Sequence, residues 1–161
     1  MSDFFLSTSG LRALVKEESV ALFAQYARAF VRLFGRGSYL LATDTRPSRN
    51  LLLPEIVSAI TSEGSDVITI GIAPTPVLPF LVKKMNFSGG IVLTASHNPM
   101  AYNGMKFIGP EGLFLGEEEI KRLKEEVELG KRGESKKKKG SHSYNPTLCD
   151  LYIEHLLDAK I

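Results

Sequence analysis

The sequence contains no tryptophan, one cysteine and almost no excess charge. The single cysteine, Cys149, cannot form a disulfide within the chain, which fits a protein of a reducing compartment. A formal net charge of +2 is too small to indicate nucleic acid as a partner. No apolar run reaches the roughly 20 residues that a membrane-spanning helix needs, and the N-terminus has no signal-peptide pattern. We therefore expect a cytoplasmic protein that binds neither nucleic acid nor membranes.

What is present is the composition of a soluble globular protein: 161 residues, of which 43% are hydrophobic and 24% charged. We expect one domain over residues 1–130 and a lysine-rich linker over 131–145. Residues 146–161 form either the start of a second domain or a helix that docks back onto the first. Four consecutive lysines at 136–139 favour the linker because runs of like charge stay solvated; a localisation or nucleic-acid patch is the alternative.

Apolar periodicity predicts helices that alternate with strands. The predicted helices cover residues 20–34, 52–63, 77–85, 117–129 and 147–157. The predicted strands cover residues 38–43, 66–72, 90–94 and 105–108. The second helix is placed from Leu52 because Pro54 is tolerated only in a first turn. Strands that alternate with helices form mostly parallel sheets covered on both faces. The expected fold class is therefore α/β, a three-layer α/β/α arrangement around a mostly parallel mixed sheet.

Three polar loops follow predicted strands, at residues 44–49, 73–76 and 95–104. Ligands gather at the carboxyl ends of parallel strands, so these loops form the candidate site. In the third loop, Ser96 precedes an Asn-Pro pair that forces a turn. Phosphoryl transfer needs an oxygen nucleophile, groups that cover the phosphate, and usually a metal ion. Ser96 can be the nucleophile, and four side chains can cover the phosphate: Arg12, Arg46, His97 and Lys106.

The third loop also allows two different interpretations. It can be a hydrophilic turn without chemistry. It can also belong to a serine hydrolase, whose serine and histidine must lie within hydrogen-bonding distance. Against a hydrolase, the neighbouring side chains of Ser96 and His97 should diverge on extended backbone. The sequence also has no G-x-S-x-G nucleophile elbow.

The stretch Thr94-Ala95-Ser96-His97-Asn98-Pro99, followed by Tyr102-Asn103-Gly104 and Lys106, resembles the phosphoserine-loop signature of the α-D-phosphohexomutases. Three other stretches resemble motifs of that family in the same order: Thr8-Ser9-Gly10-Leu11-Arg12, Asp44-Thr45-Arg46-Pro47-Ser48 and Gly71-Ile72-Ala73-Pro74-Thr75-Pro76. The resemblance runs through residues 6–108. The final helix, with Tyr152-Ile153-Glu154, resembles the entry to the family's second domain. The resemblance implies the phosphoserine-bearing domain I of a phosphomannomutase or phosphoglucomutase.

In that family the serine gives its phosphoryl group to a hexose 1-phosphate or 6-phosphate, and the resulting 1,6-bisphosphate returns its other phosphate. The resemblance therefore implies that Ser96 carries the phosphate and that Lys106 is the general acid/base. Such a role is worth roughly 10²–10⁴ in rate. Arg12 would stabilise charge on the transferring phosphoryl group.

Six further residues are expected to support the loop or contact the substrate: Ser9, Arg46, Ser48, His97, Asn98 and Asn103. A purely structural role is the alternative for two of them. His97 can stabilise a turn, and Arg46 can hold loops together through a salt bridge. The Pro74-Thr75-Pro76 loop is expected to shape the site rather than take part in the chemistry.

The resemblance also implies Mg²⁺ as cofactor, with the Ser96 phosphate as one metal ligand, and a hexose 1,6-bisphosphate as activator. The family's Asp-Gly-Asp-x-Asp metal loop and its sugar-binding loops do not occur in this sequence. The expected partners are therefore a phosphosugar and the remaining domains of the same polypeptide, and we expect the chain alone to be inactive. One departure from the family pattern is Ala13, where glycine is usual after the arginine.

The choice of sugar rests on one position. Tyr102 before Asn103-Gly104 resembles the phosphomannomutase and phosphoglucomutase branch, whereas bacterial phosphoglucosamine mutases more often have aspartate there. Mannose or glucose phosphates are therefore the expected substrates. The alternative function is a non-catalytic sugar-phosphate-binding or regulatory remnant of the same fold.

Overall fold

A computed structural model describes residues 4–130 and 138–159 of the chain. These residues form seven strands and five helices in the order β1 (Phe4–Ser7), β2 (Gly10–Leu14), α1 (Glu17–Phe34), β3 (Ser38–Thr43), α2 (Arg49–Ser62), β4 (Asp66–Ile72), α3 (Val77–Lys84), β5 (Gly89–Leu93), β6 (Tyr102–Ile108), α4 (Glu117–Glu128), β7 (His142–Tyr144) and α5 (Leu148–Asp158). Within the described ranges, no helix is long and apolar enough to cross a membrane.

The strands form one mixed sheet in the order β1-β2-β6-β5-β3-β4-β7. Strands β5, β3, β4 and β7 run parallel, whereas β1, β2 and β6 are antiparallel to their neighbours. Thr43 at the end of β3 lies opposite both Leu93 and Ile72. The carboxyl ends of three parallel strands therefore meet at one edge of the sheet, where ligands are expected.

Helices cover the sheet on both faces, which confirms the predicted three-layer α/β/α fold. Tyr39 and Leu41 of β3 pack with α1, α2 and α4, and Leu40 and Ala42 pack with α3. Successive residues of a strand point to opposite faces, so a strand buried on both sides appears in the sequence as a continuous apolar run. Phe30 fixes α1 on its face, with its ring 5.6 Å from that of Tyr39.

Helix α2 begins at Arg49, three residues before the predicted start. The turn that precedes it already provides helical acceptors, because the Ser48 carbonyl accepts from Leu52 N at 3.0 Å. Pro54 therefore lies in the helix interior rather than in its first turn. It has no N–H to donate to the carbonyl of Asn50, so the helix loses one backbone hydrogen bond there.

Two parts of the sheet were not predicted. The N-terminal residues form a hairpin in which β1 pairs with β2. Strand β7 lies inside the segment predicted to be a linker, and it pairs in parallel with β4. Of the four consecutive lysines at 136–139, the first two lie outside the described residues. After β7, helix α5 packs on α3, where the Phe80 ring lies 5.3 Å from that of Tyr152. The division of the chain into domains stays a prediction.

Strand β7 depends on an exposed carboxylate. Asp66 Oδ1 accepts hydrogen bonds from Ser141 N and Ser141 Oγ, both at 2.7 Å. The backbone bond and then the hydroxyl bond hold the pKa of Asp66 below its ordinary value of 3.8. A carboxyl group whose pKa is lowered by folding stabilises the fold above its unfolded pKa, and that stabilisation is lost as the pH falls through the folded pKa.

We predict that the pairing of β7 with β4 weakens as the pH falls through the folded pKa of Asp66. NMR chemical shifts of the Ser141 amide, followed from neutral pH downwards, should titrate with the lowered pKa of Asp66. The variant Asp66→Asn should remove this titration and raise amide exchange in β7, whereas Asp158→Asn, an exposed carboxyl on α5, should change neither. A Ser141 shift that still titrates in Asp66→Asn would contradict the assignment.

Candidate functional site

The loops after β3, β4 and β5 are joined at the carboxyl edge of the sheet. Asp44 N donates to Leu93 O at 3.1 Å, and Ala73 N donates to Thr43 O at 3.2 Å. These bonds continue the parallel ladder beyond the last residues of the strands. The three loops that the sequence analysis singled out therefore lie next to one another.

The loop at residues 95–101, named here the Ser96 loop, consists of two successive tight turns. Asn98 N donates to Ala95 O at 3.1 Å, and Tyr102 N donates to Pro99 O at 2.9 Å. The Ser96 and His97 side chains are exposed at the first turn. Strand β6 begins at Tyr102, so Asn103 and Gly104 are strand residues. The sequence had instead predicted a loop that runs to residue 104.

Ser96 has a left-handed backbone, with φ +55°. A residue other than glycine in this conformation costs about 1–3 kcal/mol, and such strain clusters at functional sites. The prediction that the Ser96 and His97 side chains diverge was wrong, because it assumed an extended backbone. Ser96 Oγ lies 3.4 Å from His97 Nδ1, a long contact. Within residues 4–130 and 138–159, no carboxylate accepts from His97, so a third member of a hydrolytic triad is absent there.

Arg46 is buried beneath the Ser96 loop and is only 5% exposed. Its Nη1 donates to Pro99 O at 2.7 Å and to Tyr102 O at 2.9 Å. Its Nη2 donates to Ser96 O at 2.9 Å and to Asn98 O at 2.6 Å. Its Nε donates to Asp44 Oδ2 at 3.2 Å. An arginine has five N–H donors, and all five of these are used.

Of the two interpretations of Arg46 that the sequence left open, this geometry favours the one in which it holds loops together. With every donor bound to a carbonyl or to Asp44, the guanidinium has none left for a phosphate. Arg46 holds the loop together, and it does so mainly through four backbone carbonyls, with the ion pair to Asp44 as one contact of five. A planar fork of donors can satisfy several carbonyls at once, which a lysine ammonium cannot.

Ser48 and Asn103 tie the loop after β3 to the first residues of β6. Asn103 is fully buried, and its Nδ2 donates to Ser48 Oγ at 2.8 Å. Its Oδ1 accepts from the Gly104 amide at 2.8 Å. Both polar ends of the buried amide are thus satisfied, as burial requires. These two residues brace the site from below and do not face the surface that Ser96 occupies.

Two residues of the site, Asp44 and Thr94, stand within the sequence motifs but were not predicted to be site residues. Thr94 Oγ1 donates to Asp44 Oδ2 at 2.7 Å and accepts from Ser96 N at 3.1 Å. The other oxygen of Asp44 accepts from Arg46 N at 3.0 Å. The available signal was the position of Asp44: an aspartate two residues before a loop amide commonly accepts its hydrogen bond and so forms a local turn.

Arg12 and Lys106 lie on the same face of the sheet, close to the end of β5. In the register, Arg12 is opposite Gly104, and Thr94 N donates to Gly104 O at 2.8 Å. Lys106, two residues along β6 from Gly104, is opposite Val92. Diagonal neighbours across a sheet are about 7–8 Å apart, which is within reach of long side chains. Among the described residues, neither cation has a hydrogen bond or an ion pair with the protein.

Gly104 allows the backbone at Leu11 and Thr94 to approach β6 closely. A Cβ at this position would lie 2.3 Å from Leu11 O and 2.9 Å from Thr94 O, so no larger residue fits without movement of the backbone. Lys106 Nζ lies 5.6 Å from the centre of the Phe114 ring, which gives its ammonium a cation–π contact. Lys106 thus lies on β6 next to β5, and Arg12 lies one strand further on, on β2.

Ser9 and the proline loop lie further from this cluster. Ser9 is exposed in the turn between β1 and β2, and its amide donates to Ser7 Oγ at 3.1 Å. This turn is at the opposite end of β2 from Leu14, the residue that pairs with Tyr102 beside the Ser96 loop. Residues 74–76 lead into α3 and contribute backbone acceptors: Pro74 O accepts from Val77 N at 3.1 Å.

The residues near Ser96 do not by themselves form a metal site. No group of three or more His, Cys, Asp or Glu side chains that could hold a metal ion exists in the described part of the chain. Asp44 is committed to Arg46 and Thr94, so it has little capacity left for a cation.

An α/β/α domain has here an exposed serine at the carboxyl edge of its sheet, and two cations that the described residues leave unpaired lie on strands β2 and β6. Such an arrangement suits a class of protein that handles anionic ligands. The model of the phosphoglucomutase/phosphomannomutase family, alpha/beta/alpha domain I, matches residues 5–133. The chain belongs to this family.

Relatives agree with this assignment. The phosphoglucosamine mutase of Prochlorococcus marinus subsp. pastoris is 36% identical over 159 residues, which cover 94% of this chain and 34% of that protein. The phosphoglucosamine mutase of Clostridium botulinum (strain Hall) is 38% identical over 116 residues, 69% of this chain and 26% of that protein. The structure of a phosphomannomutase candidate from Thermus thermophilus is 28% identical, has a TM-score of 0.80, and covers 97% of this chain and 36% of that one. The chain thus spans about a third of the length of these relatives.

We predict that Arg46→Lys lowers the free energy of unfolding by roughly 2–4 kcal/mol, because several loop carbonyls lose their donor at once. The matched control is Arg49→Lys. Arg49 is half-buried and donates one long bond, to Asp44 O at 3.3 Å, so its loss should cost less than about 1 kcal/mol. Urea unfolding of the two variants provides the measurement, and equal destabilisation would refute the role given to Arg46.

Proposed function

We propose that this chain is the phosphoserine domain of a phosphohexomutase, which interconverts hexose 1-phosphate and hexose 6-phosphate through a 1,6-bisphosphate. The observation that carries the proposal is the exposed Ser96 hydroxyl on a braced loop, next to two cations that the described residues leave without a hydrogen bond or an ion pair. Phosphoryl transfer depends chiefly on positioning and on stabilisation of spread negative charge. A fixed nucleophile beside such cations meets both requirements.

The proposed roles follow from this arrangement. In the forward step, the bond between Ser96 Oγ and phosphorus breaks as the oxygen of a sugar hydroxyl bonds to the phosphorus. Lys106, as an uncharged amine, takes the proton from that hydroxyl and passes it to the departing Ser96 Oγ, and Arg12 compensates the negative charge on the phosphoryl oxygens. In the return step, Ser96 Oγ bonds to the phosphorus of the second phosphate as the bond from that phosphorus to the sugar oxygen breaks, and Lys106 passes the serine proton to the released sugar oxygen.

His97 and Asn98 have different parts in this proposal. Asn98 shapes the loop, because its amide and its carbonyl are both used within it. The His97 ring is exposed beside the Ser96 hydroxyl and is available to a phosphate or a sugar hydroxyl. Ser48 and Asn103 brace the loop, whereas Ser9 lies at the far end of β2 and is given no part in it. The Arg46 guanidinium is assigned to the loop and not to the ligand.

The remaining ligands of Mg²⁺ and the sugar-binding groups are proposed to come from other domains of a longer polypeptide. The described residues form no metal site, and the chain corresponds to about a third of its relatives. Hydrolysis of phosphate monoesters requires accelerations of up to ~10²¹, which a partial site cannot supply. The chain alone is therefore proposed to bind sugar phosphates weakly and to be inactive as a mutase.

Two sugar classes are candidates for the substrate. Tyr102 supports mannose or glucose phosphates by its resemblance to that branch of the family. The two curated relatives from Prochlorococcus and Clostridium are phosphoglucosamine mutases, which favours glucosamine phosphate as the second candidate. The Tyr102 side chain is exposed, and Arg46 binds only its carbonyl, so the loop does not require tyrosine at this position. Activity of the longer polypeptide on the three sugar phosphates, compared by kcat/KM, decides between the candidates.

We predict that the protein purified from its native source is longer than the 17.7 kDa of this chain and carries one phosphoryl group on Ser96. Intact mass and a peptide map across the Ser96 loop provide the measurement. Incubation with a hexose 1,6-bisphosphate should restore the phosphoryl group after its removal. A native chain of 17.7 kDa with unmodified Ser96 would contradict the proposed enzymatic function. It would favour a non-catalytic sugar-phosphate-binding protein.

A second prediction concerns Lys106. In the longer polypeptide, Lys106→Gln should lower kcat by roughly 10²–10⁴, because it removes the proton acceptor while keeping much of the length of the side chain. Lys83→Gln is the matched control: this exposed lysine on α3 makes only a weak 4.0 Å contact with Glu111, far from Ser96 in the fold. Mutase assays should show normal activity for the control, and equal losses in both variants would count against the role of Lys106.

A further inference from the structure

The backbone on both sides of Ser96 is restrained by hydrogen bonds. The peptide group before Ser96 is held at its two polar atoms, since Ala95 O accepts from Asn98 N and Ser96 N donates to Thr94 Oγ1. The peptide group after Ser96 is held at Ser96 O, which accepts from Arg46. The angle φ of Ser96 describes rotation about its N–Cα bond, and the peptide groups before and after the residue are both held. The left-handed value is therefore imposed by the surroundings.

The bond from Ser96 N depends on the direction of the Thr94 hydroxyl. A threonine hydroxyl has one proton and two lone pairs. Thr94 gives its proton to Asp44 Oδ2 at 2.7 Å, so a lone pair faces the Ser96 amide. An ionised carboxylate is an acceptor only, which fixes this direction. Asp44 Oδ2 also accepts from Arg46 Nε, so the restraints on the two sides of Ser96 meet at one oxygen atom.

We propose that Thr94 is a positioning residue, which keeps Ser96 in the left-handed conformation and thereby fixes the direction of the Ser96 hydroxyl at the carboxyl edge of the sheet. The consequence of this conformation for phosphoryl transfer rests on the function proposed above. Thr94 is 9% exposed and its hydroxyl is committed on both sides, so it acts through Ser96 and does not touch a ligand itself.

The conformation matters because serine has no preference of its own for left-handed backbone. Without the bond to Thr94, Ser96 can relax towards extended backbone, where its side chain points elsewhere. Phosphoryl transfer needs the oxygen in line with the phosphorus, and a displacement of about 1 Å can cost on the order of 100-fold in rate. One hydroxyl group thus controls the direction of the nucleophile.

The first test is structural and needs no activity. In the isotopically labelled chain, NMR Cα and Cβ chemical shifts of Ser96 report its backbone conformation. Thr94→Val keeps the branched shape but removes the hydroxyl, so the Ser96 shifts should move from left-handed towards extended values. Thr94→Ser keeps the hydroxyl and should preserve the shifts of the original chain. Left-handed shifts that persist in Thr94→Val would overturn the proposal.

The second test uses the longer polypeptide and measures phosphoryl transfer between a hexose 1,6-bisphosphate and Ser96. Thr94→Val should lower kcat by about 100-fold, with KM changed by less than about threefold, because the sugar-binding groups are untouched. Thr94→Ser should restore kcat to within about threefold of the original protein. Equal kcat in all three proteins would refute the positioning role.

The two tests separate the inference from the proposed function. If the original polypeptide never becomes phosphorylated on Ser96, the proposed function fails, while the NMR shifts still decide whether Thr94 controls the backbone. If phosphorylation occurs and Thr94→Val loses both the left-handed shifts and the rate, both proposals are supported. A loss of rate with unchanged shifts would remove Thr94 from its positioning role.

Discussion

The Ser96 loop depends on the buried guanidinium of Arg46. Four backbone carbonyls from residues 96–102 and the carboxylate of Asp44 converge on its five donors. Carbonyls that turn inward in a loop would be costly without such a partner, because burial without a hydrogen bond is penalised. The guanidinium also explains how a strained residue persists: several bonds of 2.6–2.9 Å outweigh the cost of one left-handed serine.

The topology of the sheet explains why the cations stand beside this loop. Three parallel strands bring their loops to one edge, as in many α/β proteins. Strand β6 returns antiparallel beside β5, and β2 pairs with β6, so Lys106 and Arg12 lie on strands that run alongside the serine. Side chains on strands are held more firmly than side chains on loops. The backbone that carries the two cations is thus regular strand, and Ser96 lies on a braced turn.

The structure also explains what this part of the family contributes. It provides an oriented hydroxyl and two cations, while Asp44, the carboxylate beside them, serves the loop. Under the proposed function, the domain is a donor half-site, which requires groups from elsewhere to complete the chemistry. Its aromatic contact between α3 and α5 and the pairing of β7 with β4 show that the segments after α4 extend the same sheet and helix layer.

The sequence by itself determined the fold class, the helices with clear apolar faces, and the three loops after strands that form the candidate site. Periodicity is a local property, and a buried strand such as β3 shows itself as a continuous apolar run. Only the tertiary structure decided the β1–β2 hairpin, strand β7 and the interior position of Pro54. Short edge strands such as β1 and β7 are defined by the strands with which they pair.

The conformation of Ser96 was likewise decided only by the tertiary structure. Its left-handed backbone and the commitment of Arg46 and Thr94 arise from bonds between residues about 50 positions apart. Such long-range bonds leave no periodic trace in a sequence, because they depend on which strand ends the sheet brings together.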